Sequence, residues 1–194
     1  AAAEPDGRYR DPRGVFRVLC AASERRAAFL ETLQSYRPAL RDLALLGRAY
    51  PVETPDLPFP IGVVPPQYFA KRIAALRLDR RQRWLDVRSP RTHAFLRREL
   101  AADLVDAGYL GPFNFGELIG TDHRITRIVA GWAYDAGYAG IAYPSTHDDR
   151  LTCWAIFDRA SLLPVGRPQP IQRSDRELVA ALELFGLDLP DEVC

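Results

Sequence analysis

The chain has 194 residues with no methionine, only three cysteines and no long apolar run. The cysteines, Cys20, Cys153 and Cys194, lie far apart without the CxxC spacing of zinc sites, which argues against a structural metal and against a disulfide framework. No apolar run approaches the roughly 20 residues that a membrane helix needs. The first residues also lack the basic and apolar segments of a signal peptide. These absences predict a cytoplasmic protein without a membrane partner.

A strong charge of one sign is missing as well, because the formal net charge is only +1. The basic residues are spread from Arg8 to Arg176 rather than gathered into one block, so the electrostatic footprint of a nucleic-acid-binding protein is weak. We therefore expect no direct nucleic-acid partner. The chain also contains no P-loop, GxGxxG, HExxH or GxSxG motif, which removes the commonest signatures of nucleotide binding and hydrolysis.

The first half of the chain predicts a strand, a helix and an irregular excursion. A β-rich apolar run covers residues 15–20 and predicts a strand. Ser23 suits the N-cap of a helix that Pro38 must end or kink. Prolines recur over residues 50–66, which predicts an irregular cover rather than a core element. We predict a further helix over residues 66–76.

The second half predicts a mixture of helices and strands in one continuous domain, residues 1–194. Alternation of apolar and polar residues predicts strands, and capping residues mark the helices. The expected elements are a strand at 83–87, a helix that Ser89 and Pro90 open and that runs to 108, a helix that Thr121 and Asp122 cap and Gly137 ends, strands at 140–143 and 151–157, and a last helix from a capping box at 174–177 to 185.

Two places attract attention as sites on residue type alone. Residues 145–149 read STHDD and pack a hydroxyl, an imidazole and two carboxylates together. Adjacent positions do not easily converge on one point, so a solvated loop is favoured over a metal site or a triad. Glu31 lies among apolar neighbours on the first helix, and on spacing alone a solvent-facing carboxylate is favoured over a partly buried one. His93 and His123 begin predicted helices and are assigned no function.

Three separated segments, in order along the chain, resemble the RES domain. These are GRYRDPRGVFRVLCAAS at residues 7–23, AAFLETL at 27–33 and GYAGIAYPSTHDDRLTCWAIFD at 137–158. They are similar to the family's Gly-Arg-aromatic turn and first strand, to the helix that carries its glutamate, and to its serine loop between two strands. Each segment is weakly specific alone, and the ordered set is more specific.

The resemblance places the family's arginine, glutamate and serine on Arg8, Glu31 and Ser145. Tyr9 takes the place of the aromatic residue after that arginine. The chain departs from the family at Cys20, where a tyrosine is usual at the end of the first strand. A further arginine-containing segment expected before the Gly-Arg turn is not found in these residues.

The resemblance implies an α/β (α+β) fold like that of the ADP-ribosyltransferase toxins, with a split mixed β-sheet flanked by helices. It implies a bacterial toxin that degrades NAD⁺ by cleaving the nicotinamide–ribose bond, with water or inorganic phosphate as the acceptor and without a metal. The implied protein partner is a helix-turn-helix (Xre-type) antitoxin, and a homo-oligomer is a further expectation. A mono-ADP-ribosyltransferase and a catalytically silent binding domain remain as alternatives.

Each of the four residues has a chemical role in that picture and a structural alternative. Arg8 would bind the pyrophosphate or inorganic phosphate, or else bridge its turn to a carboxylate such as Asp11. Glu31 would stabilise the oxocarbenium charge on the ribose, or else only face solvent. Ser145 would hold the nicotinamide amide or the ribose, or only pin its loop. Tyr9 would stack on a ring of NAD⁺, or only pack in the core.

Overall fold

The structure is a computed structural model that describes residues 7–40, 43, 61–120 and 122–190. The chain divides into two compact units, one from Ala1–Ala27 and Arg77–Leu163 and the other from Ala28–Leu76 and Pro164–Cys194. The prediction of a single domain over residues 1–194 stays a prediction. Residues 50–60 of the excursion predicted over 50–66, and the cap at Thr121, lie outside the described residues.

The described residues form strands and helices that mix along the chain. The strands are β1 (Val18–Ala22), β2 (Arg72–Leu78), β3 (Trp84–Asp86), β4 (Gly140–Pro144), β5 (Thr152–Phe157) and β6 (Leu162–Pro170). The α-helices are α1 (Arg25–Leu33), α2 (Pro90–Glu99), α3 (Ala101–Asp106), α4 (Phe115–Ile119), α5 (His123–Asp135) and α6 (Arg176–Phe185), with 3₁₀ turns at Gln34–Tyr36 and Pro66–Ala70.

The first unit is organised by a four-stranded mixed sheet in the order β1-β5-β4-β3. β4 pairs antiparallel with β5 and parallel with β3, while β1 pairs antiparallel with β5. Every residue of β4 is buried, as expected of a central strand. At its first residue, Gly140, an added Cβ would lie 2.5 Å from the Ala155 carbonyl oxygen and 2.8 Å from the Trp84 ring. Glycine is therefore required there by the close approach of β5 and β3.

One face of this sheet packs against the helices between β3 and β4. Ile141 and Tyr143 lie opposite Ala155 and Cys153 in the register, so these four side chains share a face. They belong to one apolar cluster with buried residues of α2, α3, α4 and α5. Helix α5 begins where Asp122 accepts a hydrogen bond from the N–H of Arg124, and this cap confirms the sequence-based prediction.

The second unit contains most of α1, the β2–β6 pair and α6. Tyr68 is buried, and its hydroxyl shares a 2.8 Å hydrogen bond with the Thr32 hydroxyl. Helix α6 begins at the cap Asp175, which accepts from the N–H of Glu177, and ends at Gly186 with φ of 61°. A left-handed residue at this position favours glycine because it has no Cβ.

The predicted fold class is confirmed, since the chain has a split, mixed β-structure flanked by helices. The strands at 83–87, 140–143 and 151–157 are confirmed with small changes of boundary. Along residues 89–108 the helix exists but breaks at Leu100 into α2 and α3.

Several predictions of local structure are wrong. The first strand begins three residues later than expected, so Cys20 lies in its middle and not at its end. Ser23 accepts a hydrogen bond from the Trp154 indole, while Glu24 is the residue before α1. Residues 66–76 form a 3₁₀ turn and most of β2 instead of a helix. The cap of α6 is Asp175 rather than Ser174.

Helix α4 and strand β6 were not predicted at all. Within the described ranges, no helix is long and apolar enough to cross a membrane.

Candidate functional site

The residues of interest in the first unit gather around one edge of the sheet. The carboxyl ends of the parallel strands β3 and β4 meet there, together with the start of β5 and the end of β1. Ser23, which follows β1, donates its backbone N–H to the Thr152 carbonyl at 2.8 Å. Loops that follow the carboxyl ends of parallel strands are common positions for ligand sites.

Arg8 lies in a tight turn closed by a hydrogen bond from the N–H of Arg10 to the Gly7 carbonyl. The Thr126 hydroxyl, from α5, donates to the Arg8 carbonyl and so anchors the turn on that helix. The Arg8 Nε is buried and has no hydrogen-bond partner within the described part of the chain. A buried, charged donor left without an acceptor is costly, and an anion is the ligand that would satisfy it.

Tyr9, the next residue, is buried in the core of the first unit with 3% exposure. Its ring lies 4.8 Å from the ring of Tyr143, and its hydroxyl donates to the Leu118 carbonyl at 3.4 Å. Burial raises the pKa of Tyr9, and the charge of Arg8 opposes this only in part. The tyrosine is a neutral packing residue that holds the Arg8 turn against β4. Its stacking on a ring of NAD⁺ stays a prediction.

Ser145 directly follows β4 and is buried. Its N–H donates to the Leu151 carbonyl at 2.9 Å, and its Oγ accepts from the N–H of His147 at 3.2 Å. These bonds pin the loop between β4 and β5, as the structural alternative expected. A hydroxyl has one donor and two acceptor positions, so the bond to His147 does not by itself fill its capacity.

The rest of the STHDD loop is organised by an ion pair. Asp148 accepts from Arg150 at 2.9 Å (Nε) and 2.8 Å (Nη2). The Arg150 guanidinium is the main cause that lowers the pKa of Asp148 to about 2. No group of three or more metal-ligating side chains occurs among residues 7–40, 43, 61–120 and 122–190. The Asp148–Arg150 ion pair and the hydrogen bonds of Ser145 thus hold this loop.

The carboxyl end of β3 carries a second ion pair that the sequence analysis missed. Arg88 donates from Nε and Nη2 to the two carboxylate oxygens of Asp86, each at 2.8 Å, and from Nη1 to the Thr152 hydroxyl. The Arg88 guanidinium is the largest cause holding the pKa of Asp86 below its ordinary value. This fork ties the end of β3 to the start of β5 at the same edge.

Asp11 is the carboxylate that the structural alternative pairs with Arg8. Its hydrogen bonds instead come from Arg13 and Val15. It accepts from the N–H of Arg13 at 3.0 Å, from the Arg13 guanidinium at 3.1 Å and from the N–H of Val15 at 2.8 Å. Burial acts to raise the pKa of Asp11, but these hydrogen bonds outweigh it and leave the pKa below its ordinary value. Asp11 therefore shapes the turn before β1.

Glu31 belongs to the second unit, near the end of α1. It is partly buried beside the fully buried Leu30 and Leu33, so the favoured solvent-facing orientation is wrong. The structure thus places Arg8, Tyr9 and Ser145 in one unit, around the end of β4, and describes Glu31 in the other. That all four share a pocket stays a prediction.

Cys20, where the family usually has a tyrosine, is exposed and pairs with Ala155 in the β1–β5 register. Its side chain lies on the face that carries Cys153 and Tyr143, since opposite residues of an antiparallel pair share a face.

Arg26 is a further residue that sequence reasoning missed. It lies in the first turn of α1, within the first unit, and its Nε is buried without a hydrogen-bond partner in the described ranges. Its charge contributes to the lowered pKa of Asp148 in the loop after β4, although the Arg150 hydrogen bond is the main cause. No motif marks Arg26, because an unpaired donor is visible only in three dimensions.

Comparison with known proteins gives one finding. The family model described as the RES domain matches residues 1–178. Searches among curated proteins and among solved structures returned no match. The match spans nearly the whole chain and includes the arginine turn, the glutamate helix and the serine loop. The chain therefore belongs to the RES-domain family.

Proposed function

We propose that this protein degrades NAD⁺ by cleaving the bond between nicotinamide and ribose. The observation that carries the proposal is the buried Nε of Arg8, which has no hydrogen-bond partner in the described ranges, in a turn whose next residue, Tyr9, packs on Tyr143 near the end of β4, in a member of the RES family. This family is associated with toxin–antitoxin systems and with enzymes that use NAD. A guanidinium held in this way suits a phosphate-containing substrate.

Arg8 binds the substrate rather than reacting with it in this proposal. The turn is fixed by the bond from Thr126 and by the packing of Tyr9 on Tyr143, so the guanidinium is positioned before the substrate arrives. Preorganisation of this kind reduces the entropy that binding costs. Two parallel N–H groups of the fork would bind oxygens of the pyrophosphate or of inorganic phosphate.

The reaction breaks the bond between C1′ of the ribose and N1 of nicotinamide. Both bonding electrons leave with nicotinamide, which departs neutral, and positive charge builds on the ribose. The carboxylate of Glu31 would stabilise this charge. Water then adds to C1′ and loses a proton to give ADP-ribose, or inorganic phosphate adds to C1′ to give ADP-ribose that carries a phosphate on that carbon. Glu31 would also orient the attacking group.

Ser145 and Tyr9 have supporting parts. The Ser145 hydroxyl would hold the nicotinamide amide or the ribose by hydrogen bonds. Tyr9 supports the turn that carries Arg8, and contact with a ring of NAD⁺ is its proposed further role. In the cell, we propose that the protein acts as a cytoplasmic toxin and that a helix-turn-helix antitoxin neutralises it.

The direct test follows nicotinamide release from NAD⁺ by the purified full chain, with and without inorganic phosphate. Release in water alone indicates hydrolysis, and release that depends on phosphate indicates phosphorolysis. A folded protein that releases no nicotinamide in either condition refutes the proposal.

The same experiment distinguishes two alternative functions from NAD⁺ degradation. A mono-ADP-ribosyltransferase breaks the same bond but transfers the label of radioactive NAD⁺ to a macromolecule instead of leaving only small products. A catalytically silent binding domain shows no turnover, and Cys20 is the observation that favours it. If Cys20→Tyr restores nicotinamide release to an inactive protein, the silent state is due to the missing phenol.

A further inference from the structure

We infer that Arg26 is a second phosphate-binding residue and that, with Arg8, it holds the two phosphates of a dinucleotide. This inference deepens the proposed function and rests on it for the identity of the substrate. The family assignment does not single out position 26. The role of Arg26 is inferred from the hydrogen bonds and the burial of the arginines in the first unit.

The arginines of the first unit differ in how their guanidinium groups are hydrogen-bonded. Many arginines of this unit donate to carboxylates or carbonyls, as Arg13, Arg88 and Arg150 do. The Nε of Arg8 and the Nε of Arg26, in contrast, are buried and have no hydrogen-bond partner in the described ranges. Buried donors are nearly always satisfied, so these two Nε atoms require an explanation.

Arg8 and Arg26 also belong to the same part of the first unit. The residue after Arg8, Tyr9, packs on Tyr143 near the end of β4. Arg26 follows β1 by four positions, at the sheet edge where Ser23 bonds to Thr152. Both arginines therefore lie in the same unit and near the same carboxyl edge of its sheet.

Within the described ranges, the carboxylate that feels the charge of Arg26 is already bound elsewhere. This is Asp148, whose oxygens accept from Arg150 at 2.8 and 2.9 Å. Asp148 is thus already neutralised by a two-point ion pair. A ligand with two adjacent phosphates would supply the acceptors for both Nε groups, and a pyrophosphate has that composition.

The test measures binding of ADP, adenosine and inorganic phosphate to the full chain by titration calorimetry. ADP carries the pyrophosphate but has no nicotinamide bond to cleave. We compare Arg26→Gln and Arg26→Lys with the matched control Arg17→Gln, whose arginine is exposed in the same unit. Because a hydrogen bond to a charged group contributes substantially to binding, Arg26→Gln should weaken ADP binding about tenfold and leave adenosine binding unchanged.

The other variants make the result specific. Arg26→Lys keeps the charge but loses the fork, so we expect an affinity between those of the wild type and Arg26→Gln. Arg17→Gln should bind ADP as the wild type does. Thermal unfolding of each variant without ligand identifies any that fails to fold, and Arg26→Lys then decides the question.

Two outcomes overturn the inference. Equal ADP affinity for wild type and Arg26→Gln does so, even where the wild type releases nicotinamide and the proposed function stands. Loss of affinity for inorganic phosphate alone, with ADP unaffected, assigns Arg26 to the phosphate acceptor instead of the dinucleotide. Conversely, tighter ADP binding by the wild type than by Arg26→Gln, without nicotinamide release, supports the inference while the proposed function fails.

Discussion

Arg8 and Arg26 show what a sequence can and cannot reveal about single residues. Arg8 was identified because a glycine and an aromatic residue flank it in a recognisable turn. Arg26 sits in an arginine pair with nothing to distinguish it from the other arginines, so only its buried, unsatisfied Nε marks it. The burial of Glu31 was also misjudged, because the spacing of its apolar neighbours does not fix how far a long carboxylate side chain is covered.

Replacement of Glu31 by glutamine should reduce kcat for nicotinamide release about 100-fold or more. The substitution keeps the shape but removes a charge that acts mainly in the transition state, so KM should change little. Steady-state kinetics of Glu31→Gln against Glu24→Gln, an exposed carboxylate just before α1, provides the measurement. Equal kcat for the two folded variants would contradict the assigned role.

Asp11 should make the protein sensitive to acid. The pKa of Asp11 is lowered in the folded state, so its contribution to stability is complete above the ordinary value of 3.8 and is lost as the pH falls below it. Asp11→Asn should lower the free energy of unfolding by about 1 kcal/mol at pH 7 and flatten its fall at low pH. Urea unfolding at a series of pH values tests this, with the exposed Asp106→Asn as the control. An unchanged pH profile in Asp11→Asn would show that its hydrogen bonds contribute nothing.

At the scale of elements, short-range sequence patterns predicted the central strands well. They failed for β2 and β6, where the pairing of distant strands determines the secondary structure. Residues 66–76 contain alanine, leucine and arginine, which favour a helix, yet β2 forms because it pairs with β6. β6 contains Pro164, Pro168 and Pro170, so no sequence rule would predict it. An outer strand of a two-stranded sheet tolerates proline because half of its N–H groups need no partner.

Helix α4 was missed although its signal is present in the sequence. Asn114 accepts from the N–H of Gly116, and Glu117 accepts from the N–H of Asn114, which together form a capping box. The five residues of α4 are too few for a periodic pattern. The capping residues Asn114 and Glu117 are therefore the signal in the sequence that marks α4.

The cap of α6 can be tested with two neighbouring residues. Asp175 accepts from the N–H of Glu177, while Ser174 is exposed and lies one position before the cap. Asp175→Ala should lower the free energy of unfolding by about 1 kcal/mol, and Ser174→Ala should leave it unchanged. Chemical denaturation of both variants measures the difference. A larger effect at Ser174 would favour the original sequence-based cap.

The start of β4 should not tolerate a side chain. Gly140→Ala would bring a Cβ against the Ala155 carbonyl and the Trp84 ring, and overpacking of this kind costs about 1 to 3 kcal/mol. Gly131→Ala, in the interior of α5, is the matched control. Its Cβ would meet only the Arg13 guanidinium at 3.4 Å, and alanine favours a helix by about 0.5 to 1 kcal/mol. Thermal unfolding that ranks Gly140→Ala at or above Gly131→Ala would refute the packing argument.

For the whole molecule, each compact unit is assembled from two separate stretches of the chain. The boundaries fall between residues 27 and 28, 76 and 77, and 163 and 164. Arg8 and Ser145 thus come from the two different stretches of chain that form the first unit. The order of the family segments already indicated that residues so far apart in the sequence belong together. The arrangement of hydrogen bonds around them lay beyond the sequence, because it depends on which distant strands pair.

Production of the full chain in a bacterium should lower the cellular NAD⁺ content and slow growth. The double variant Arg8→Gln, Glu31→Gln, produced at the same level, should neither lower NAD⁺ nor slow growth. It lacks the arginine proposed to bind phosphate and the carboxylate proposed to stabilise the ribose charge. Enzymatic measurement of NAD⁺ in cell extracts, with growth curves, tests the proposal. A fall in NAD⁺ that the double variant reproduces would mean that another property of the chain is toxic.

The pairing of β1 with β5 has a consequence for synthesis on the ribosome. Val18 is translated first, and Phe157, its partner, follows only after about 140 further residues. At about 5 to 20 residues per second, β1 waits on the order of ten seconds for the strand that satisfies its backbone. The β4–β5 hairpin can close as soon as it emerges, and the nascent first strand then completes the sheet. We expect newborn chains to be most prone to aggregation, and most dependent on chaperones, during that interval.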